Sequence, residues 1–169
     1  MLPADSTTRL TTRLTRRPEA LFLDAGDTLL FLDCGALAQA LADYGEHVDV
    51  ARLEAAVFAS KRAYQAMLAT GRGHEDGWSV LMRAMLTGGG VNDARATQLL
   101  PALRKVHEAF YFWRKVPAEL PAALARAKTA GLRLGVISNS EGRLASVLQR
   151  VGLGDAFELV VDSHLEGVS

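Results

Sequence analysis

Residues 19–33 read EALFLDAGDTLLFLD. The apolar run from Ala20 to Leu23 ends at Asp24, and Gly26 follows within a turn-like segment. A short apolar run bounded by a turn residue predicts a fully buried β-strand that leads into a loop. We therefore expect Asp24 to lie at the end of the first strand of a sheet.

The segment after this strand has the apolar spacing of helices and no convincing strand. Apolar side chains recur every three or four positions in four stripes, within residues 37–44, 53–68, 78–86 and 96–113. Glycines close the first three stripes, whereas Pro101 lies inside the fourth and predicts a kink or a break there. Residues 34–116 are therefore predicted to form an inserted all-helical domain.

In the last third of the chain the pattern changes to helix, strand, helix, strand. Leu132–Ile137 and Phe157–Val161 are apolar runs that predict strands, and a helical pattern precedes each, the second beginning at Glu141. Strands joined by single helices imply right-handed crossovers and a parallel sheet. The predicted fold class is α/β, with a Rossmann-like sheet of three strands built from residues 18–33 and 117–169.

The composition is that of a globular protein with a hydrophobic core, since 49% of the 169 residues are apolar and 22% are charged. Nineteen basic residues balance nineteen acidic ones, so we expect neither nucleic acid nor a membrane surface as a partner. No run is long and apolar enough for a membrane helix, and we expect a cytoplasmic protein. Residues 1–17 are rich in Thr and Arg and predict a disordered or targeting-like tail.

Polar residues occur where the three predicted strands end. Asp24 follows the first strand, Ser138 ends the second, and Asp162 and Ser163 follow the third. In a parallel sheet, ligands bind outside the carboxyl ends of the strands, so these side chains are the candidates for chemistry. Asp24 suits a nucleophile or a ligand of a divalent cation, although an Asp that only caps the following loop has the same pattern.

The motifs at the strand ends resemble those of the haloacid dehalogenase (HAD) superfamily. The resemblance rests on DAGDTL at residues 24–29, VISN at 136–139 and GLGDAFELVVDS at 152–163. A helical domain inserted directly after the first motif, called a cap in that family, is part of the same pattern. The match spans residues 18–169.

The resemblance implies a role for each residue of the two strand-end motifs. In the phosphatases of this family the first Asp, here Asp24, attacks phosphorus and forms an aspartyl phosphate. Ser138 would donate to a phosphoryl oxygen, and Mg2+ would bind the Asp24 carboxylate and the Gly26 carbonyl. Thr28 would hold the loop geometry and, with Gly26 and Asn139, would contribute to the substrate-binding loops.

The sequence departs from the family pattern in three places. Gly26 stands where the family's phosphatases carry a second Asp that serves as general acid to the leaving group. Asp27 follows one residue later and is a candidate for that role. The family also carries a Lys shortly after the position of Ser163 and, further on, an acidic metal-binding loop. Neither occurs before Ser169. The strands predicted here amount to half of the family's sheet, so one edge of strand Leu21–Leu23 would be unpaired. We therefore expect self-association, a second polypeptide that completes the sheet, or a fragment of a longer protein.

Three functions are consistent with these features. The first is Mg2+-dependent removal of phosphate from a small phosphorylated metabolite through an aspartyl phosphate on Asp24. A 2-haloacid dehalogenase is the second, because such enzymes also lack the second acid and need no metal. The third is a catalytically incomplete, truncated or split family member that acts by binding a partner.

Four further features have a functional and a structural interpretation, and we favour the structural one for each. Cys34 is predicted to be a small apolar residue at a helix start. The four histidines lack the spacing of metal ligands and are predicted to lie on the surface or in loops. Gly71–Gly77 predicts a flexible connection, and Phe110–Lys115 predicts a helix end packed between cap and core.

Overall fold

The computed structural model describes residues 17–71 and 76–167. Residues 1–16, and with them nearly all of the predicted tail, lie outside the described residues, as do 72–75 and 168–169. In chain order the elements are β1 (Ala20–Leu23), β2 (Phe31–Leu32), α1 (Cys34–Ala42), α2 (Val50–Leu68), α3 (Gly77–Gly88), α4 (Asp93–Phe110), β3 (Trp113–Lys115), α5 (Leu120–Thr129), β4 (Arg133–Ser138), α6 (Leu144–Arg150) and β5 (Leu159–Asp162).

Three parallel strands form the sheet of the core, in the order β1-β4-β5. Leu23 lies beside Val136, and Ser138 lies beside Asp162, so the three strands end at one edge. The predicted α/β class, with a parallel three-stranded sheet and an inserted helical region, is confirmed. Each predicted strand of the second half of the chain begins one or two residues later than its apolar run.

The helices of the cap have a hydrophobic core of their own, to which α1, α2, α3 and α4 all contribute. Its fully buried side chains include Leu37, Leu53, Met82, Leu86 and Leu103. A second core lies between the sheet and the helices α5 and α6. Separate cores let the cap and the sheet pack as two units that meet along a shared boundary.

Polar side chains fix where three of the cap helices begin. Asp33 accepts a hydrogen bond from the N–H of Ala36 at 2.9 Å and caps α1. Asp49 caps α2, and Asn92 caps α4, each through the N–H two residues later. Such caps satisfy backbone donors that a helix leaves without partners in its first turn.

The fourth helix differs from the sequence pattern in two ways. It runs unbroken from Asp93 to Phe110 with Pro101 inside it, which excludes the predicted break and leaves a kink as the remaining prediction. It also ends earlier than its apolar stripe, because Tyr111 takes a left-handed backbone conformation at φ 59°. The next residues turn into the short strand β3, which pairs antiparallel with β2 and which the sequence pattern did not indicate.

The last helix also begins later than predicted, at Leu144 instead of Glu141. The buried carboxylate of Asp162 accepts hydrogen bonds from the N–H groups of Gly142 and Leu144, at 3.0 and 3.2 Å. These bonds hold residues 141–143 as a loop, so α6 begins only after them.

The first strand is not fully buried in this chain, contrary to the prediction from its apolar run, whereas its exposed edge agrees with the expectation for half of the family's sheet. Leu21 is 37% exposed and Phe22 is 51% exposed. The strand lies at the edge of the sheet, and its pairing with β4 leaves its other side without a neighbouring strand in the described chain. An apolar run of this kind predicts burial only when both faces and both edges are covered.

One face of the sheet is apolar and uncovered. The helices α5 and α6 pack with Leu134 and Val136, which point to the opposite face. On the uncovered face the ring of Phe22 lies over Gly135, where a Cβ atom would meet it at 2.6 Å. Ile137 and Leu159 on the same face are 51% and 50% exposed. We call this surface, made of Phe22, Gly135, Ile137 and Leu159, the open face.

No helix within residues 17–71 and 76–167 combines the length and apolarity that crossing a bilayer requires.

Two truncations in the same strand test this one-sided burial. Leu134→Ala removes a side chain that is 1% exposed, and we expect it to lower the free energy of unfolding by about 2–5 kcal/mol. Ile137→Ala, on the open face, should cost under about 1 kcal/mol. Urea unfolding at low protein concentration measures both, and equal losses would contradict the assignment of the faces.

Candidate functional site

Two polar side chains meet at the carboxyl end of the sheet. The Ser138 hydroxyl donates a hydrogen bond of 2.7 Å to Oδ1 of Asp24. Both residues line a cavity of about 550 Å³ between the sheet and the cap. A cavity of this size suits a small-molecule ligand. Gly26, Asp27 and Asn139 line the same cavity, so five of the six residues to which the family resemblance gives a role are brought together.

The loop after Asp24 is a tight turn built on one carbonyl. The carbonyl oxygen of Ala25 accepts from the N–H groups of Thr28, Leu29 and Leu30, at 3.3, 2.9 and 2.9 Å. Thr28, the sixth residue singled out, belongs to this turn and is not part of the cavity wall.

Asp27 adopts a left-handed conformation in this turn, with φ 58°, and its N–H donates to the carbonyl of Leu30. Such a conformation is uncommon for residues other than glycine, although Asp tolerates it better than most. The carboxylate Oδ1 accepts from Nζ of Lys61, on cap helix α2, at 2.7 Å. Asp27 therefore faces the cap and is held there as an ion-pair partner, which differs from a free acid poised over Asp24.

Aromatic side chains form much of the remaining cavity wall, and of these only Trp78 was expected from the sequence to face the substrate. They come from the cap and from the segment after α4: Tyr64, Trp78, Tyr111 and Trp113. The ring of Tyr64 lies against the start of α3, where a Cβ on Gly77 would come within 2.1 Å of it. Any larger residue at position 77 would push this ring out of place.

A charged cluster joins cap helix α4 to the loop that follows Ser138. Nε2 of His107 lies 3.3 Å from Oε2 of Glu141, and Nη1 of Arg104 donates to Oε1 at 2.9 Å. Nδ1 of His107 accepts from the N–H of Phe112 at 3.1 Å. Because Nδ1 is an acceptor, a neutral imidazole carries its proton on Nε2 and donates it to Glu141.

The pKa of Glu141 is lowered to about 2 by this cluster. The hydrogen bond from His107 is the largest cause, and those from Arg104 add to it against the opposing effect of burial. Burial raises the pKa of Tyr111 to about 12, and the nearby Glu141 carboxylate adds to the shift. Glu141 is therefore a carboxylate, and Tyr111 a neutral phenol, across the range in which most proteins are stable.

His107 corrects a prediction, because it is buried and not a surface or loop histidine. Its side chain is 1% exposed and stacks on Tyr111, with ring centroids 4.7 Å apart. The signal was present in the sequence, since His107 follows Leu103 by one helical turn and so lies on the apolar face of α4.

The other strand-end residues and Cys34 have structural roles. Hydrogen bonds to the Asp162 carboxylate outweigh its burial and lower its pKa, and the same bonds hold the loop before α6. Ser163 donates to Oδ1 of Asn139 at 2.6 Å, which joins two loops beside the cavity. Cys34 is the buried first residue of α1, and burial raises the pKa of its thiol, which disfavours the nucleophilic thiolate.

The donors present match only a small part of a magnesium site. Asp24 and Gly26, whose carboxylate and carbonyl are the candidate ligands, both belong to the cavity wall. In the described part of the chain, no three His, Cys, Asp or Glu side chains converge as a metal site would require. Mg2+ is often held by one carboxylate, with water and substrate phosphate as further ligands, and Asp24 with Gly26 fits this lesser set.

Solved structures share this fold at low sequence identity. The candidate HAD-hydrolase YfnB from Bacillus subtilis, bound to magnesium, is 16% identical with a TM-score of 0.65, over 91% of this chain and 67% of that one. A hydrolase from Streptococcus pneumoniae TIGR4 is 16% identical with a TM-score of 0.55, over 91% and 71%. The L-2-haloacid dehalogenase RSc1362 is 17% identical with a TM-score of 0.52, over 91% and 67%.

No protein-family model and no curated protein matches the sequence. The structural neighbours that share the fold are hydrolases with a magnesium-bound and a dehalogenase representative among them. At identities this low, the structural match shows a shared fold only, and the reaction has to be argued from the site.

The cap-to-core cluster should make stability depend on acid pH. Glu141→Gln removes a carboxylate whose pKa is about 2 when folded and about 4.5 otherwise. A depressed pKa stabilises the folded state above about pH 4.5, and this contribution is lost as the pH falls toward 2. We expect the variant to be less stable than the wild type at pH 7, and the difference to shrink over that acid range.

Urea unfolding from pH 2 to 7 measures this difference. Glu108→Gln is the matched control, because Glu108 also pairs with Arg104 but lies outside the cavity wall. It should leave the pH dependence nearly unchanged. A difference between Glu141→Gln and wild type that stays constant from pH 7 to 2 would contradict the role of the cluster.

Proposed function

The chain has the fold of the HAD superfamily with a helical cap, and from this premise we propose that it is a phosphohydrolase acting on a small phosphorylated metabolite. The observation that carries the proposal is the 2.7 Å hydrogen bond between Ser138 and Asp24 in the wall of the cavity. A positioned carboxylate at the end of a parallel strand, beside a hydroxyl donor, suits nucleophilic attack on a phosphoryl group.

The proposed reaction uses Asp24 as a covalent nucleophile. Ser138 fixes one carboxylate oxygen of Asp24, and the other attacks phosphorus while the bond from phosphorus to the leaving oxygen breaks. Water then hydrolyses the aspartyl phosphate, which releases phosphate and restores the carboxylate. The leaving oxygen takes its proton from solvent, because Gly26 offers no acid and the Asp27 carboxylate is turned toward cap helix α2. General acid catalysis is typically worth about 10²–10⁴-fold, so we expect slow turnover.

Magnesium belongs to this proposal as the cofactor implied by the fold. Asp24 and the Gly26 carbonyl would hold it, and it would supply positive charge to the phosphoryl oxygens. The chain's own residues position the nucleophile and enclose the substrate, while His107 and Arg104 hold the loop after Ser138 against the cap.

A 2-haloacid dehalogenase is the second candidate, and the composition of the cavity favours it. Four aromatic side chains form the wall, and Gly26 supplies no acid, which displacement of a halide does not need. In that reaction Asp24 attacks the carbon that bears the halogen, and the resulting ester is hydrolysed by water. Halide release that continues in the presence of a chelator would favour this candidate.

Replacing the nucleophile tests the phosphohydrolase. With Mg2+ and a panel of small phosphomonoesters, we expect Asp24→Asn to lose roughly 10³-fold or more of the activity. Asp155→Asn, an exposed carboxylate outside the cavity wall, is the matched control and should retain it. A chelator should abolish phosphatase activity. Equal phosphate release by Asp24→Asn and wild type would end the proposal.

The open face supports a proposal about partners. We propose that a second copy of this chain packs against the open face and covers Phe22, Ile137 and Leu159. Apolar side chains half exposed on one sheet face favour association, and packing of the two open faces about a twofold axis would bury both sets of side chains. A second, different polypeptide that completes the sheet is the alternative occupant.

Sedimentation velocity distinguishes these states. We expect the wild type to sediment as a dimer or larger, and Ile137→Lys to shift it to monomer because a charge would be buried in the contact. Phe58→Lys is the matched control, since Phe58 is a 71% exposed residue of the cap away from the sheet. A stable wild-type monomer that keeps its fold at high concentration would contradict self-association.

A further inference from the structure

The charge of the cavity wall conflicts with an anionic substrate. Three carboxylates, Asp24, Asp27 and Glu141, line the cavity, and no Lys or Arg occurs among the described residues that do so. A phosphate or carboxylate group entering this space meets like charges at short range. A site that binds such a group without relying on a bound metal needs a side-chain cation that can reach it.

Two cap cations are bound to these carboxylates, and they differ in how firmly they are held. Arg104 on α4 bonds to both Glu108 and Glu141, and its guanidinium lies 5.3 Å from the ring centroid of Trp78. Several simultaneous contacts hold this planar group in one place. Lys61 on α2 contacts Asp27 with a flexible side chain that is 35% exposed.

The helix places Lys61 on the face that lines the cavity. Tyr64 and Gln65 are cavity-wall residues, and they follow Lys61 by three and four positions in α2. Residues at these spacings share one side of a helix. Lys61 therefore lies one turn before two wall residues, and its ammonium reaches the edge of the cavity at Asp27.

We propose that Lys61 is the anion-binding residue of this cavity. Its ammonium pairs with Asp27 when no ligand is bound and moves to the oxyanion of the ligand, a phosphoryl or carboxylate group, when one enters. Asp27 is then a positioning residue that holds the lysine beside Asp24 and competes with the ligand for it. The proposal rests on the proposed function only in taking the oxyanion to belong to a substrate.

Direct binding of inorganic phosphate tests the proposal without relying on turnover. Calorimetric titration at constant ionic strength compares wild type, Lys61→Met and Asp27→Asn. We expect Lys61→Met to weaken phosphate binding about tenfold to a hundredfold, the range that a charge-assisted hydrogen bond supplies. Asp27→Asn should tighten binding, because it removes the competing carboxylate. Lys61→Arg should restore part of the affinity.

Lys105→Met is the matched control, because Lys105 is an exposed lysine of the cap that lies outside the cavity wall. It should bind phosphate as the wild type does. If the Lys61–Asp27 pair only joins the cap to the core, Lys61→Met and Asp27→Asn will both lower the unfolding temperature and leave phosphate affinity unchanged. That result would overturn the proposal, and so would a failure of the wild type to bind either phosphate or acetate.

The same titrations separate this proposal from the proposed function. Binding that depends on Lys61, together with equal turnover by Asp24→Asn and wild type, would support the anion site and end the phosphohydrolase. Turnover that depends on Asp24, with unchanged phosphate binding in Lys61→Met, would support the phosphohydrolase and overturn the anion site. Acetate in place of phosphate identifies the source of the oxyanion, because binding of acetate alone through Lys61 supports the anion site for a carboxylate ligand.

Discussion

The parallel pairing of β1 with β4 is the constraint on which the site depends. Because Leu23 lies beside Val136, the residues that end these strands, Asp24 and Ser138, come within one hydrogen bond of each other. A shift of the register by one residue would turn one of these side chains to the other face of the sheet and separate the pair. The tight turn on the Ala25 carbonyl and the loop held by Asp162 then fix how each strand end leaves the sheet. The rest of the cavity is built around this pair.

The cap is joined to this edge of the sheet by two ionic contacts of different character. His107 and Arg104 hold Glu141, next to the Ser138 motif, in a partly buried cluster of several bonds. Lys61 reaches Asp27, next to Asp24, through a flexible and more exposed side chain. One contact fixes the loop geometry, and the other leaves a cation free to exchange partners. The fixed contact and the exchangeable contact therefore both lie beside the same cavity.

Local patterns were sufficient for much of the fold. The helical spacing of the cap, the alternation of helices and strands after it, and the buried Cys34 at the start of α1 could all be predicted, since each depends on neighbouring residues. The errors came where distant residues compete with local preference. Asp162 holds residues 141–143 out of a helix, Tyr111 ends α4 before its apolar stripe does, and β1 loses its burial because helices cover one face of the sheet.

The sequence by itself determined which side chains end the strands, and therefore which of them, Asp24 and Ser138 first, were candidates for chemistry. The tertiary structure alone decided that Lys61 and His107 join them, because these residues are 37 and 83 positions from Asp24 in the chain. Helical spacing gives the face on which each of them lies, but not what that face contacts. The physical reason is that long-range packing and charge pairing depend on how cap and sheet meet, and local spacing does not encode that.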